Sequence, residues 1–444
     1  MTSSSSNQQV DAERSRLYRK VTLRILPLLV ICYIANSIDR TNINMAQLSL
    51  RADLGFDAQV YGIGVGIFFV GYILFEVPSN LMLDRIGVRK TLLRIMCLWG
   101  LFSAATMFVR TPMQFYGVRF LLGVAEAGFF PGILFYITYW FPSERRARVT
   151  ALFLIGSPLA GVAGAPLAGL IIQSFDGLAG LRGWQWMFLL EGLPTIILGG
   201  LAFILLDDRP SDAGWLTSEE KRLIEEDLAS ERALKSKGHD YSHRQMLRDP
   251  RVYLLGVVTI GGYTLSSASS FWGPLLIQAS GVKSLTQIGF LAAIPPFAAI
   301  VAMLLYAWHS DRKRERRWHY ACAQLAGALG LVGAACFHDS TFAVIACMAL
   351  VTCGVYAATA VFANIPALYL SESTRAGGLA MMTSIGAIAS VLAPAVMGWL
   401  RVQTGSFAVG LQASAGVVVA GAVLLLFAIP ARSLKEARRS ADKV

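Results

Sequence analysis

Asp84-Arg85-Ile86-Gly87-Val88-Arg89-Lys90 is a tight basic turn between two long apolar runs. The same D-R-x-x-x-R-[KR] spacing returns 227 residues later as Asp311-Arg312-Lys313-Arg314-Glu315-Arg316-Arg317. Ser143-Glu144 recurs as Ser371-Glu372, and Pro166 as Pro394, both at an offset of 228. A constant offset across three landmarks divides the chain into two parallel halves. Outward from these turns, runs of about 20 apolar residues, enough to cross ~30 Å of hydrocarbon, repeat along the whole sequence. They occupy 22–46, 60–82, 92–110, 113–138, 149–173, 185–206, 251–278, 286–308, 318–337, 341–369, 376–400 and 408–430. The chain is 55% hydrophobic and 15% charged, with a mean hydropathy of +0.55, so its solvent is lipid. The expected fold class is all-α integral membrane, with twelve transmembrane helices in two pseudo-symmetric six-helix halves.

A net charge of +11 would suggest nucleic acid in a soluble protein, but its placement argues against that. With the N-terminus inside, thirty of the thirty-nine Lys and Arg residues fall in inner segments and five in outer loops. The other four, Arg24, Arg40, Arg94 and Arg119, lie within spans. This bias predicts a multi-pass protein with both termini cytoplasmic, and short outer loops without an N-x-S/T acceptor point to the bacterial inner membrane. The expected organisation is a cytoplasmic tail (1–20), a six-helix half (21–206), a cytoplasmic linker (207–250), a second half (251–430) and a basic tail (431–444). Residues 1–15 read as polar and disordered. In the linker, Thr217-Ser-Glu-Glu220 is a capping box opening an amphipathic helix with Leu223, Ile224 and Leu228 on one side. The six cysteines all fall in apolar runs without a C-x-x-C pair, so neither a disulfide framework nor a metal site is expected. All five histidines are in or beside loops, and no H-E-x-x-H or activated nucleophile motif exists. An enzyme is therefore not expected, nor a cofactor.

At the end of the first run, Tyr33-Ile-Ala-Asn-Ser-Ile-Asp-Arg-Thr-Asn-Ile-Asn44 carries Asp39 and Arg40 without loop residues around them. Tyr33, Asn36, Arg40 and Asn44 fall at i, i+3, i+7 and i+11 and share a helix face, with Asp39 beside Asn36. A charge at mid-membrane costs roughly 2.5–3.5 kcal/mol even on lenient insertion scales, so such groups usually face a wet interior. Arg119 and Glu126 in the fourth run are seven apart, two turns along one face, and Pro131 is expected to kink that helix. A carboxyl shielded from water favours its neutral form, which makes Asp39 and Glu126 candidates for proton coupling. An arginine keeps its charge and offers a planar fork matched to a carboxylate, so Arg40 and Arg119 are candidates for holding an anion, with Asn36 and Tyr33. Glu76, before Pro78, is placed with the gate, and Glu191 reads as structural. The second half has no charge well inside its spans; Tyr263, Tyr356 and Asn364 are its candidates for recognising substrate shape.

Together these residues resemble the major facilitator superfamily. The turn at 84–90 is similar to that family's signature between its second and third spans, with Asn80 where glycine is usual and Val88 where arginine often stands. Asp39-Arg40-x-Asn42 and Arg119-Phe-Leu-Leu-Gly-Val-Ala-Glu126-Ala-Gly-Phe-Phe-Pro131-Gly, followed by Tyr139-Trp140-Phe141-Pro142, resemble the anion:cation symporters. The form is most similar to their tartrate, phthalate, hydroxyphenylacetate and nicotinate permease branch. The resemblance spans about 20–430. It implies a major facilitator fold that imports a small organic carboxylate, a tartrate-like sugar acid or an aromatic acid, by proton symport through alternating access, as a monomer in the bilayer. It implies that Asp39 and Glu126 carry the proton while Arg40 and Arg119 serve anion binding or gating. The repeated turns, with Asp84, Arg85, Arg89, Asp311 and Arg312, are expected to act as gates. Proton-coupled uptake of a neutral sugar, drug efflux by antiport and a transporter-fold membrane sensor are the alternatives weighed against it.

Overall fold

A computed structural model describes residues 2–236, 248–313, 315–362, 365 and 372–428. Its first half comprises α1 (Thr2–Leu54), α2 (Ala58–Ile86), α3 (Val88–Ala105), α4 (Pro112–Glu126), α5 (Phe129–Trp140), α6 (Ser143–Leu154), α7 (Gly156–Ser174) and α8 (Gly183–Leu205). The linker contributes α9 (Ser218–Ser236). The second half comprises α10 (Pro250–Ala279), α11 (Leu285–Lys313), α12 (Arg317–Cys336), α13 (Thr341–Phe362), α14 (Glu372–Thr404) and α15 (Ala408–Ala428). With α4–α5 and α6–α7 each forming one broken span, twelve helices among the described residues are long and apolar enough to cross a membrane. Lipid offers no hydrogen bonds, so a spanning backbone must satisfy itself, and these apolar runs do so as helices.

Capping fixes several boundaries. Asp57 accepts the Val60 N–H at 2.8 Å, and Thr111 with Gln114 forms a capping box ahead of Pro112. The expected box of the linker is present too. Glu220 accepts the Thr217 N–H at 2.8 Å, and Thr217 accepts the Glu220 N–H at 3.2 Å. Ile224 and Leu228 are buried, with Leu223 packed beside them, so α9 docks on the first half. Tyr18 donates to Asp227 at 2.9 Å, and Arg14 pairs with Asp227 at 3.0 Å. That docking anchors α1 from Arg14 onward, and the start of the chain departs from expectation. Where a disordered polar start was read, α1 runs unbroken from Thr2, and its inward side is buried through Leu17, Tyr18 and Val21.

The halves meet toward the end opposite the termini. A Cβ on Gly62 of α2 would strike the Pro394 carbonyl of α14, and one on Gly289 of α11 would strike the Ala165 carbonyl beside Pro166 of α7. Gly62 and Gly289 are 227 residues apart, so the two cross-half seams are mates under the internal repeat. Glycine lets each pair of backbones touch. The same end is tied by Asn44 Nδ2 donating to the Ser270 carbonyl at 2.6 Å, Tyr61 to the Phe271 carbonyl at 2.8 Å, and the Thr286 N–H to Gln173 at 3.0 Å.

Candidate functional site

Between the halves lies a cavity of about 320 Å³. Tyr33, Asn36, Arg40 and Asn44 all line it, so the face read from their spacing is the face that points inward. Tyr263 and Tyr356 join from the second half, with a run of serines at 266, 267, 269 and 270. Ser157, also in the wall, links Tyr33 and Tyr356 across the two halves. Asn364, expected among the recognition residues, lies outside the described residues.

Behind this wall is a charged cluster built by α1, α2, α3 and α4. Glu126 is 0% exposed and ends α4. Its Oε2 accepts from Arg40 Nε at 2.7 Å and from Asn36 Nδ2 at 2.8 Å, while Oε1 has no donor. The helix breaks here because Gly128 adopts φ +90°, a left-handed conformation natural to glycine. A Cβ at that position would also lie 2.5 Å from Ser79 Oγ. The expected kink at Pro131 is thus displaced three residues, and Pro131 sits inside the first turn of α5, where its missing N–H costs nothing.

The two arginines separate in the structure. The Arg40 guanidinium lies 4.7 Å from the Tyr72 ring centroid, and its Nη2 has no acceptor. Arg119, by contrast, is 1% exposed and is not part of the cavity wall. It reaches the Gly64 carbonyl at 3.4 Å and stacks 4.7 Å above Phe68, a ring Arg40 approaches from 5.8 Å. Both cations are thus drawn to the quadrupole of one aromatic ring. Phe68 and Tyr72 were not singled out in the sequence; their signal is two aromatics four apart on a glycine-rich helix.

Asp39 is 1% exposed and turns away from the cavity. Its Oδ1 accepts from Ser103 Oγ of α3 and from Asn42 Nδ2 at 3.3 Å, and Oδ2 has no donor. Arg119 feels both Asp39 and Glu126 through space. Glu191 of α8 joins this cluster. Both of its carboxylate oxygens are sealed from solvent without a well-aligned donor, Asn42 is the polar side chain that acts on them, and Asp39 is the charge acting on them. Ser103, a small hydroxyl in an apolar run, carried no signal in the sequence.

Glu76 is half-buried on α2, within the field of Arg40. At the basic turn, Arg89 donates to the Phe203 carbonyl at 2.9 and 2.6 Å, and its N–H reaches Asp208 at 2.9 Å. Asn80, in place of the usual glycine, donates to the Glu76 carbonyl at 2.8 Å. Arg85 is exposed, and Arg312 lies 5.5 Å from the Trp308 ring centroid of its own helix. The side chains of Asp84 and Asp311 lie outside the described residues. Among the described residues no group of His, Cys, Asp and Glu could hold a metal ion.

The family model of the Major Facilitator Superfamily matches residues 29–312 and 282–443. A protein of Agrobacterium vitis named "Putative tartrate transporter" is 43% identical over 412 residues, covering 93% of this chain and 94% of its own. The "Quinolone resistance transporter" of Acinetobacter baumannii is 37% identical over 410 residues, covering 91% and 93%. Among solved structures, that of a D-xylose-proton symporter superposes with a TM-score of 0.73 at 14% identity, over 92% of this chain and 98% of that one. At such identity the likeness speaks to the fold.

Proposed function

The chain belongs to the Major Facilitator Superfamily, and from that premise we propose that this multi-pass transporter imports a small organic carboxylate by proton symport through alternating access. The observation that carries the reading is Arg40, which holds Glu126 with its Nε, leaves its buried Nη2 without an acceptor and still keeps 27% of its side chain exposed at the cavity wall. When Glu126 takes up a proton, Arg40 loses its counter-charge, and a buried unpaired cation is costly. A carboxylate entering the cavity restores the pairing with the remaining fork of N–H donors. Proton binding and anion binding thereby favour each other without a long relay. Asp39, held by Ser103 and Asn42, is the second proton site.

The opposite wall supports a hydroxylated acid: its serines offer donors and acceptors to an alcohol-bearing chain, with Tyr263 and Tyr356 at its flanks. The relative named for tartrate is in keeping with this chemistry. We place the protein in the bacterial inner membrane with both termini cytoplasmic, as a monomer whose halves, 21–206 and 251–430, rock about the cavity. In that orientation the seams at Gly62 and Gly289 close the outer side, and the conformation faces inward. Arg89 and the other residues of the repeated turns, with Glu76, hold the inner gate.

The test is uptake of tartrate and of hydroxybenzoate into proteoliposomes under an imposed pH gradient, with and without a protonophore. Gradient-driven accumulation of an acid, lost with the protonophore, is the expected result. The relative named for quinolone resistance favours a second reading, efflux by proton antiport. Quinolone extrusion under the same gradient, with no acid accumulated, would put that reading first.

A further inference from the structure

Arg16, Arg19, Lys20, Leu23 and Arg24 fall at i, i+3, i+4, i+7 and i+8 of α1 and form one stripe. Leu17, Tyr18, Val21 and Ile25, on the other side of the helix, are buried. The stripe and Trp215 line an open groove at the end of the molecule that carries the termini. Trp215 is fixed there: its indole N–H donates to Asp207 at 2.9 Å, and its ring stacks on Trp140 with centroids 5.8 Å apart. Lys20 lies 5.9 Å from the Trp215 centroid and pairs with Glu220 at 2.8 Å. Burial works against the Glu220 carboxylate, but hydrogen bonds from Lys20 and the Thr217 N–H outweigh it and hold the carboxyl below its usual range.

That pair leaves the arginines. Arg16, Arg19 and Arg24 have no ion pair or hydrogen bond among the described residues, and all three are exposed. Of the four arginines within apolar runs, Arg40 and Arg119 belong to the central cluster and Arg94 donates to Ser79 at 2.7 Å. Arg24 alone among them lacks a protein partner. A guanidinium at the start of a span needs an anion at headgroup depth. Leu23, 63% exposed in the same stripe, continues the groove wall as apolar surface toward the bilayer. An indole beside it is the side chain that favours the membrane–water interface.

We propose that this groove binds the phosphate of an anionic phospholipid in the leaflet on the side of the termini, with Arg16, Arg19 and Arg24 around the phosphate and Leu23 against the acyl chain. A free phosphate ester shares the headgroup chemistry, but it would leave Leu23 and the interfacial indole without a role. The site is independent of the transported substrate.

Native mass spectrometry of the full-length protein titrated with phosphatidylglycerol tests the assignment. The variant Arg16→Gln/Arg19→Gln/Arg24→Gln should lose about a hundredfold in affinity at low salt, the scale set by three juxtamembrane charges. Arg24→Gln alone should lose about fivefold or more. A control, Lys90→Gln/Arg148→Gln/Lys313→Gln, removes the same charge from the same end and should stay within about threefold of the parent. Glycerol 3-phosphate should not compete. Equal loss in the control means general charge attraction and overturns the site. Competition by glycerol 3-phosphate makes it a site for soluble anions, and equal binding of phosphatidylcholine removes the anion altogether.

Discussion

Arg40 Nε sits 2.7 Å from Glu126 Oε2, joining the first helix to the broken end of the fourth span. Asn36 shares that oxygen at 2.8 Å. The arginine therefore faces the carboxylate on one edge and the cavity on the other. Arg40→Lys keeps the charge but loses the fork, so it should raise the KM for the acid substrate about 10–100-fold, the scale of one charge-assisted hydrogen bond of ~1.5–3 kcal/mol. Membrane yield should be unchanged. Transport kinetics against immunoblotted yield would check this; an unaltered KM removes Arg40 from the anion site.

Asp39→Asn and Glu126→Gln preserve shape and hydrogen-bonding capacity but cannot exchange a proton. Each should abolish accumulation driven by a pH gradient while leaving counterflow of substrate between preloaded vesicles and medium. Full accumulation in both variants would take the coupling away from this pair.

Arg119 calls for a different outcome from Arg40, because it is buried behind the wall against Phe68 and the Gly64 carbonyl. Arg119→Gln leaves Asp39 and Glu126 without one compensating charge in a dry cluster. Removing one partner of a buried set typically destabilises by about 3–5 kcal/mol. Thermal stability in detergent should fall sharply, and substrate affinity should change less than in Arg40→Lys. The reverse ranking would put Arg119 in the binding site after all.

Gly128 positions Glu126 by ending α4. Gly128→Ala forces an L side chain to φ +90°, at a cost of roughly 1–2 kcal/mol, and sets its Cβ 2.5 Å from Ser79 Oγ. Folded yield and Vmax should both drop. Adding Ser79→Gly removes both the Oγ and the Cβ, 2.5 and 2.8 Å from the new methyl, but not the backbone strain, so rescue in the double variant should be partial. Complete rescue would mean the left-handed turn is dispensable.

Much of the fold could be read directly because lipid leaves a chain few options. Twelve long apolar runs, the charge bias and a repeat of 227–228 residues settle the helix count and the parallel halves. The repeat even carries tertiary information, since Gly62 and Gly289 make equivalent seams. At the site, the shared face of Tyr33, Asn36, Arg40 and Asn44 was legible from helical spacing alone. What spacing could not give was depth across helices. Arg119 and Glu126 share a face of one helix, yet the break at Gly128 and the intervening Phe68 ring send one to Arg40 and keep the other behind the wall. Nor could composition show that Ser103 meets Asp39, because a serine inside an apolar run usually bonds its own backbone.

Glu191, which reads as structural in the sequence, lies by position in the buried cluster that we propose for coupling. Its two oxygens meet no well-aligned donor, and Asp39 is the charge acting on them; α1 presents Asp39 and Asn42, α7 presents no charged side chain, and α3 meets this stretch of α8 through Gly100 and Ala104, with Arg89, Lys90 and Arg94 toward its other end. An ionised carboxylate there would be an unpaired buried charge next to another carboxylate, which is expensive. In its protonated form the acid would have an O–H to offer, and Asn42 Oδ1 is an acceptor without a donor. Such a bond would orient the Asn42 amide so that its Nδ2 faces Asp39, making Glu191 a positioning residue for the proton site. Glu191→Gln, whose amide can donate in the same place, should keep accumulation within about twofold and leave the pH profile of uptake unmoved. Glu191→Leu frees the Asn42 amide to turn and should shift that profile at unchanged membrane yield. If the glutamine variant fails as badly as the leucine one, the carboxyl itself exchanges protons and Glu191 is a third coupling site.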